Sequence, residues 1–516
     1  MGDYVPEVKE EIKVDEEAPD MFEKLEKLIR FQLSSEELPV RDVLTAFGTP
    51  IVSVGILDAG IITGKVLGNP RPGAESTESF DNETLFQAAS ISKAVTALAV
   101  LKLCQLGELD LDAPISGYLS SEQMSWISTS QTQALVSQIS IRLLLSHTSG
   151  LRVHGFDGYS NTAIPSVQQI LHGDPPANNE QISLFTLPGV GFYYSGGGFT
   201  VIQLILETHL KKPFHQIMDE TVLQPLNMTR STYNTLDSAE TNYAPAYLTG
   251  KNKSDPEYHV YPEKAAAALW TTPSDLLKAV LAVQKSLKTG GFLDRKWAEI
   301  MLTQAGDNEA GMALGWVAKK GSVHFWHTGG NPPGYRCIVV GYADLPLYED
   351  EAKGKEKEKQ SEKAGVEDAK ADRTAVPEQC GICIMTSSQL GTEIRSKILQ
   401  AIPCLRSWPS TWDNPTVPFL DRARSVDSRA KDWRGEWGPG DWNLVYKEEG
   451  MFVRFGKLPA VRLVPGVLLA KKHAEGNSID LVADGLDLML RLGWKEGSRS
   501  IEVWQNAPVI TLERKS

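Results

Sequence analysis

The chain has 516 residues, 41% hydrophobic and 23% charged, with a formal net charge of −13 from 52 basic and 65 acidic side chains. That is too long for one ordinary domain and apolar enough for a sizeable core. The acidic balance argues against nucleic acid or an anionic membrane surface as the main partner.

Residues 1–20 are acidic, carry Pro, and are expected to be disordered. The start, Met1-Gly2-Asp3-Tyr4, has neither a basic stretch nor an apolar run, so no secretory signal is read there. No run of about 18 apolar residues predicts a membrane span. Five cysteines, at 104, 337, 380, 383 and 404, fit a reducing compartment better than a disulfide framework, and a cytoplasmic location is expected. Phe22, Leu25, Leu28 and Ile29 at helical spacing predict a helix over 21–33. Residues 51–57 read as a strand, Asp58-Ala59-Gly60 as a turn and 61–66 as the returning strand.

Ser90-Ile91-Ser92-Lys93 follows an apolar segment and opens a helix with an expected stripe of Ile91, Val95, Leu98 and Leu101, stopped by Gly107. A Ser and a Lys three apart at a helix start share one face, about one turn from each other. The amine can then reach the hydroxyl and help to remove its proton. The section from about 110 to 290 reads as mostly helical. Strands return over 323–327, 337–342 and 381–386. Between the last two lies a run rich in Lys, Glu, Asp and Ala, about 349–378, expected to be a solvated, disordered insertion. A Pro- and Trp-bearing link, 403–418, leads to short alternating segments at 442–446, 451–455, 479–482, 486–490, 501–504 and 509–512. Their spacing predicts a small antiparallel sheet or barrel. The expected domains are therefore 21–410, catalytic, and 417–516, all β.

Three later segments add chemistry: Leu144-Leu145-Ser146-His147-Thr148-Ser149-Gly150, Tyr193-Tyr194-Ser195-Gly196-Gly197-Gly198, and Trp326-His327-Thr328-Gly329-Gly330-Asn331. With Ser-x-x-Lys in front of them, the chain resembles the class C β-lactamase, DD-peptidase and esterase superfamily of serine acyl enzymes over about 45–410. That resemblance implies an α/β (α+β) β-lactamase/transpeptidase-like fold: a central antiparallel sheet flanked by helices, beside a helical region. It implies Ser90 as the acylated nucleophile, Lys93 as its partner, and Tyr194 as a general acid/base. It implies the Ser90 and Gly330 amides as the oxyanion hole, and His327, Thr328, Gly329 and Gly196 as substrate-binding positions. No metal or cofactor is implied.

The physical logic agrees. A serine hydroxyl needs a group to take its proton. A phenol with a pKa near ~10 needs lowering to do so, and an adjacent ammonium favours the phenolate. One departure stands out: the position filled by Asn in the family's Tyr-x-Asn is Gly196. That speaks against strong β-lactamase or peptidase activity and for an ester substrate in a roomier acyl pocket. His327, mostly neutral at pH 7, is also a weaker partner for a substrate carboxylate than Lys.

The expectation is a serine hydrolase or acyltransferase acting on small-molecule esters, with transesterification in secondary metabolism as one form. A β-lactamase or DD-peptidase is the alternative within the fold, and a non-catalytic scaffold the alternative outside it. The oligomeric state is not encoded in any of these features. His147-Thr148-Ser149-Gly150 reads as a structural helix end, and Cys380-Gly381-Ile382-Cys383 as strand, where residues three apart point to opposite faces. Trp433, Trp437 and Trp442 are expected to seed the C-terminal sheet.

Overall fold

The structure is a computed structural model and describes residues 19–30, 39–46, 48–68, 80–160, 163–249, 252–306, 308–345, 376–409, 426–438, 441–447, 450–456, 460–465, 479–483, 489–495, 498–504 and 510–514. The disorder expected at 1–20 and in the charged run therefore falls almost wholly outside the described residues. The chain divides into two compact units, one of Met1–Glu17 and Phe47–Arg395, the other of Ala18–Ala46 and Ser396–Ser516. Two short helices, α1 (Pro19–Arg30) and α2 (Val40–Ala46), thus group with the C-terminal segment, whereas the sequence reading places residues from 21 on in the larger domain. They pack on each other and bury Leu25, Ile29, Val43 and Leu44.

The larger unit is built on a five-stranded antiparallel sheet. Its strands are β1 (Ile51–Asp58), β2 (Ile61–Gly68), β3 (His324–Asn331), β4 (Tyr335–Tyr342) and β5 (Gly381–Thr386), in the order β2-β1-β5-β4-β3. The hairpin of β1 and β2 turns at Ala59 and Gly60, both with positive φ. β1 and β5 are buried along almost their full length, as expected of strands covered on both faces. Cys383 is buried in β5 and Cys380 just before it, and neither is in a disulfide among the described residues.

Three helices matter for the site: α3 (Ile91–Gln105), α4 (Gly196–Leu210) and α5 (Pro273–Thr289). Helix α3 departs from the expected single stripe, because 13 of its 15 residues are buried. Ala94, Ala97, Ala99 and Val100 make it apolar on all sides, so it lies inside the core rather than on the core's rim. Gly107, at φ +77°, follows its end as the sequence predicts. Helix α5 starts at Thr272, whose hydroxyl accepts the Asp275 amide at 3.2 Å, with Pro273 in the first turn. It packs on β1, β4 and β5 closely enough that a Cβ at Gly55 would stand 2.8 Å from Pro273 Cβ.

The second unit closes into an eight-stranded antiparallel barrel of β6 (Gly435–Gly438), β7 (Trp442–Lys447), β8 (Gly450–Phe455), β9 (Val461–Pro465), β10 (Ile479–Ala483), β11 (Met489–Lys495), β12 (Ser498–Trp504) and β13 (Ile510–Arg514). Strand β13 returns to β6 through the Trp437–Arg514 pair. Strands β6 and β9 escape the sequence reading because they are short and Gly- or Pro-bearing, the composition of edges and turns. The segment read at 486–490 lies partly outside the described residues, and its strand runs on to Lys495. Inward positions such as Trp437, Leu444, Met451, Leu481, Leu492 and Ile501 fill the barrel, and Trp433 joins them. Trp442 packs at the margin of that core.

Among the described residues no helix is long and apolar enough to cross a membrane. Trp437 is fully buried, and its indole N–H donates to the Trp433 carbonyl at 2.9 Å. Trp437→Ala should cost the barrel about 3–5 kcal/mol, read as a lower midpoint in urea denaturation followed by circular dichroism. An unchanged midpoint would show that the ring does not hold the barrel.

Candidate active site

A tight turn presents Ser90. Phe86 and Gln87 pair with Thr271 and Trp270, and the Ala88 amide donates to the Leu269 carbonyl at 2.8 Å. Ala89 then takes a positive φ of +51°, unusual for a residue with a side chain, and Ser90 caps helix α3. The segment 265–269 holds the first turns of that helix. Leu269 N–H donates to Ser92 Oγ at 3.0 Å, and Thr96 Oγ1 donates to the Ala265 carbonyl at 3.1 Å. Asn331, at the end of β3, donates to Gln87 Oε1 at 2.8 Å and to the Ala267 carbonyl at 3.1 Å. One side chain thereby joins the strand edge, the serine turn and the 265–269 segment.

Lys93 Nζ lies 2.9 Å from Ser90 Oγ and 2.8 Å from the Ala266 carbonyl. The amine is 2% exposed, and burial brings its pKa down to about 7. No carboxylate is among the causes acting on it. At neutral pH about half of the Lys93 population is therefore the uncharged amine, which can accept a proton. The Tyr194 ring lies 5.2 Å from Lys93 Nζ, and its hydroxyl bonds to Ser90. Burial raises the phenol's pKa, and the bond to Ser90 opposes that only in part. Here the structure corrects the sequence expectation of a phenolate favoured by an ammonium. Burial lowers the proton affinity of Lys93 and raises that of Tyr194, which favours the amine as the base and the phenol as the proton donor.

The outer edge of β3 faces the serine turn. A Cβ at Gly329 would overlap the Ala88 carbonyl oxygen, so only glycine lets the strand come this close. Trp326 exchanges hydrogen bonds in both directions with Val317 across that outer edge. The alternation of a strand then puts the amides of Thr328 and Gly330 on the same edge, and Gly330 is exposed. With Ser90 at the helix N-terminus, two backbone donors are available to a developing oxyanion. His327 is buried. Its Nδ1 donates to the Thr328 carbonyl at 2.6 Å, its Nε2 has no partner among the described residues, and burial followed by the Lys93 charge lowers its pKa to about 3. It is a neutral group, as the sequence predicts for pH 7.

Gly196 departs from expectation. A Cβ there would stand 3.0 Å from Phe156 Cε2 and 3.1 Å from the His154 carbonyl oxygen. A side chain at this position would start in tight contact with Phe156 and the His154 carbonyl, so the glycine marks a close approach rather than an open space. Gly196 and Gly197 donate their amides to the carbonyls of His154 and Val153, each at 3.1 Å, and Gly198 N–H donates to Ser195 Oγ at 2.9 Å. Gly196 and Gly197 let segment 152–156 press against the start of α4. Phe156 and His154 are thus site residues that the sequence reading misses. The Gly triplet signals a close approach, but not which segment makes it. Among the described residues, no group of three His, Cys, Asp or Glu side chains is arranged to hold a metal ion.

Comparison with known proteins fits this geometry. The family model described as Beta-lactamase matches residues 48–348. "Protein flp" of Staphylococcus aureus (strain N315) is 24% identical over 323 residues, 60% of this chain and 58% of that protein. The chain thus spans under two thirds of the length of the curated relatives it matches. "Esterase EstB" of Burkholderia gladioli is 31% identical over 161 residues, 30% of this chain and 40% of that protein. The solved octameric penicillin-binding protein homologue from Pyrococcus abyssi has a similar fold, with a TM-score of 0.53 and 18% identity over 91% of this chain and 97% of that one.

The depressed amine generates a pH signature. The neutral fraction of Lys93 should climb from about a tenth at pH 6 to about nine tenths at pH 8. The rate at which a fluorophosphonate labels Ser90 should follow it, with a midpoint near 7, the value burial sets for Lys93. A profile still climbing above about pH 9 would mean an ordinary, hydrated lysine.

Proposed function

The chain belongs to the beta-lactamase family, and from that premise we propose that it is a serine hydrolase that forms an acyl-enzyme on Ser90 and acts on small-molecule esters. The observation that carries this reading is the uncharged-amine geometry: Lys93 Nζ 2.9 Å from Ser90 Oγ, buried, with a pKa of about 7. Ser90 Oγ attacks the ester carbonyl while neutral Lys93 takes its proton. The negative charge that develops on the carbonyl oxygen is met by the Ser90 and Gly330 amides. Losing one such donor typically costs about 3 kcal/mol in the barrier. The Tyr194 hydroxyl gives its proton to the departing alkoxide, and the Lys93 ammonium, 5.2 Å from that ring, returns one to the phenolate, which leaves both groups neutral. Water then attacks the acyl carbon as the same amine takes its proton; the acyl–Oγ bond breaks, that proton passes to Ser90 Oγ 2.9 Å away, and the acid leaves with the enzyme restored. An alcohol entering in its place gives acyl transfer by the same steps.

Esters are favoured over amide-bearing substrates by what stands beside Gly196. Position 196 offers no carboxamide to donate or accept, and the Phe156 ring packs against it. An acyl group that offers an amide there loses partners, and an unpaired buried polar group costs about 1–3 kcal/mol. Similarity to an esterase over part of the chain supports the same choice.

The test uses p-nitrophenyl esters from acetate to octanoate, with adducts located by mass spectrometry. Ester turnover with a covalent adduct on Ser90, both lost in Ser90→Ala, is the expected result. Absence of any adduct in the wild-type protein would favour a non-catalytic scaffold. Nitrocefin should turn over far more slowly than the preferred ester, and a comparable rate would overturn the ester assignment. Ester product formed with added alcohol would identify a transferase.

A further inference from the structure

Three consecutive residues, Tyr193, Tyr194 and Ser195, are each engaged by one histidine. The Tyr193 amide donates to the His147 carbonyl at 2.8 Å. The Tyr194 ring stacks on the imidazole, with centroids 4.2 Å apart and planes 27° from parallel. The Ser195 amide donates to His147 Nδ1 at 2.9 Å. His147 itself is fully buried and has a φ of +57°, a conformation uncommon for a side-chain-bearing residue. Such a backbone persists only where its surroundings over-determine it.

We propose that His147 is the positioning residue for Tyr194, fixing the phenol against Ser90. The proposal rests on the reading of Tyr194 as proton donor given above. Because Nδ1 accepts from Ser195, the ring proton sits on Nε2, and the imidazole is neutral. Burial and the nearby Lys93, His327 and His154 hold it in that state. Protonating Nδ1 would abolish the Ser195 bond and put a charge against the phenol's face. Phe199, with its ring centroid 5.3 Å away, and Phe192, at 6.2 Å, close the pocket around the imidazole. His154 lies over Tyr194 as well, at 4.8 Å and tilted by 41°, but it is exposed, and its carbonyl takes the Gly196 amide rather than any bond from Tyr193 to Ser195. A hydroxyl misplaced by an ångström can cost about 100-fold in rate, so a rigid support for Tyr194 has a kinetic role.

Two substitutions separate the contributions. His147→Asn keeps an acceptor near Nδ1 for the Ser195 amide but removes the stacked ring. His147→Phe keeps a ring but leaves that buried amide unpaired. Each should lower kcat on the preferred p-nitrophenyl ester by roughly 10- to 100-fold, with KM changed less than about threefold. The decisive readout is a double-mutant cycle with Tyr194→Phe. In that background both His147 substitutions should lower kcat by less than about twofold, because the group they position is gone. An equal loss in both backgrounds would show a merely structural histidine and overturn the proposal. Wild-type kcat in Tyr194→Phe alone would instead remove the role given to Tyr194, a separate failure. A readout in the unsubstituted protein stands if a variant does not fold. The ¹⁵N shifts of the imidazole in contact with the Tyr194 ring should report a proton on Nε2, and a proton on Nδ1 would exclude the Ser195 bond and the proposal with it.

Discussion

An ammonium group resists leaving water, and in this chain Lys93 has left it. Its amine keeps two neighbours, Ser90 Oγ and the Ala266 carbonyl, and neither is charged. Desolvation without a compensating carboxylate is what brings its proton affinity to the neutral range. Much of the larger unit serves that condition. Helix α3 is buried nearly all round, the 265–269 segment lies along its first turns, and Asn331 ties the strand edge to both. Had helix α3 been an ordinary amphipathic helix at the surface, the same Ser and Lys would have been a hydrated pair with no reason to react.

Burial also assigns the roles of the two titratable partners. It pushes an amine down and a phenol up, so one environment moves Lys93 toward the neutral base and Tyr194 toward the neutral acid. The expectation of an ammonium that supports a phenolate requires the opposite: two opposite charges sharing a dry site. That pair is costly unless further hydrogen bonds satisfy it, and the fully buried His147 beside Tyr194 contributes a neutral ring rather than a charge.

The serine, the lysine and the strand glycines were legible because local rules place them. Three-residue spacing at a helix start aligns Ser90 with Lys93, and a Gly pair in a β-strand marks a close backbone approach at Gly329. The sheet strands were legible for the same reason, since β5 runs over the very residues its apolar run suggests. What stayed hidden depends on partners far away in the chain. The state of Lys93 is set by residues 265–269, and the neighbour of Gly196 is Phe156, from a loop with no period to read. The barrel's closure depends on pairing its first strand with its last, a register that no single segment carries. The ring stacking of His147 on Tyr194 is of this kind too: the Ser-His-Thr-Ser-Gly segment looks like a helix end, and it is one.

The neutrality of the reacting groups has a consequence for encounter. His147, His327 and Tyr194 are all held uncharged, and Lys93 is charged for only about half of the time at pH 7. Groups with so little fixed charge cannot by themselves focus field lines on an approaching ion. Capture of an uncharged ester by these groups rests on short-range fit and dehydration, and the thirteen surplus negative charges of the whole chain do little to steer it.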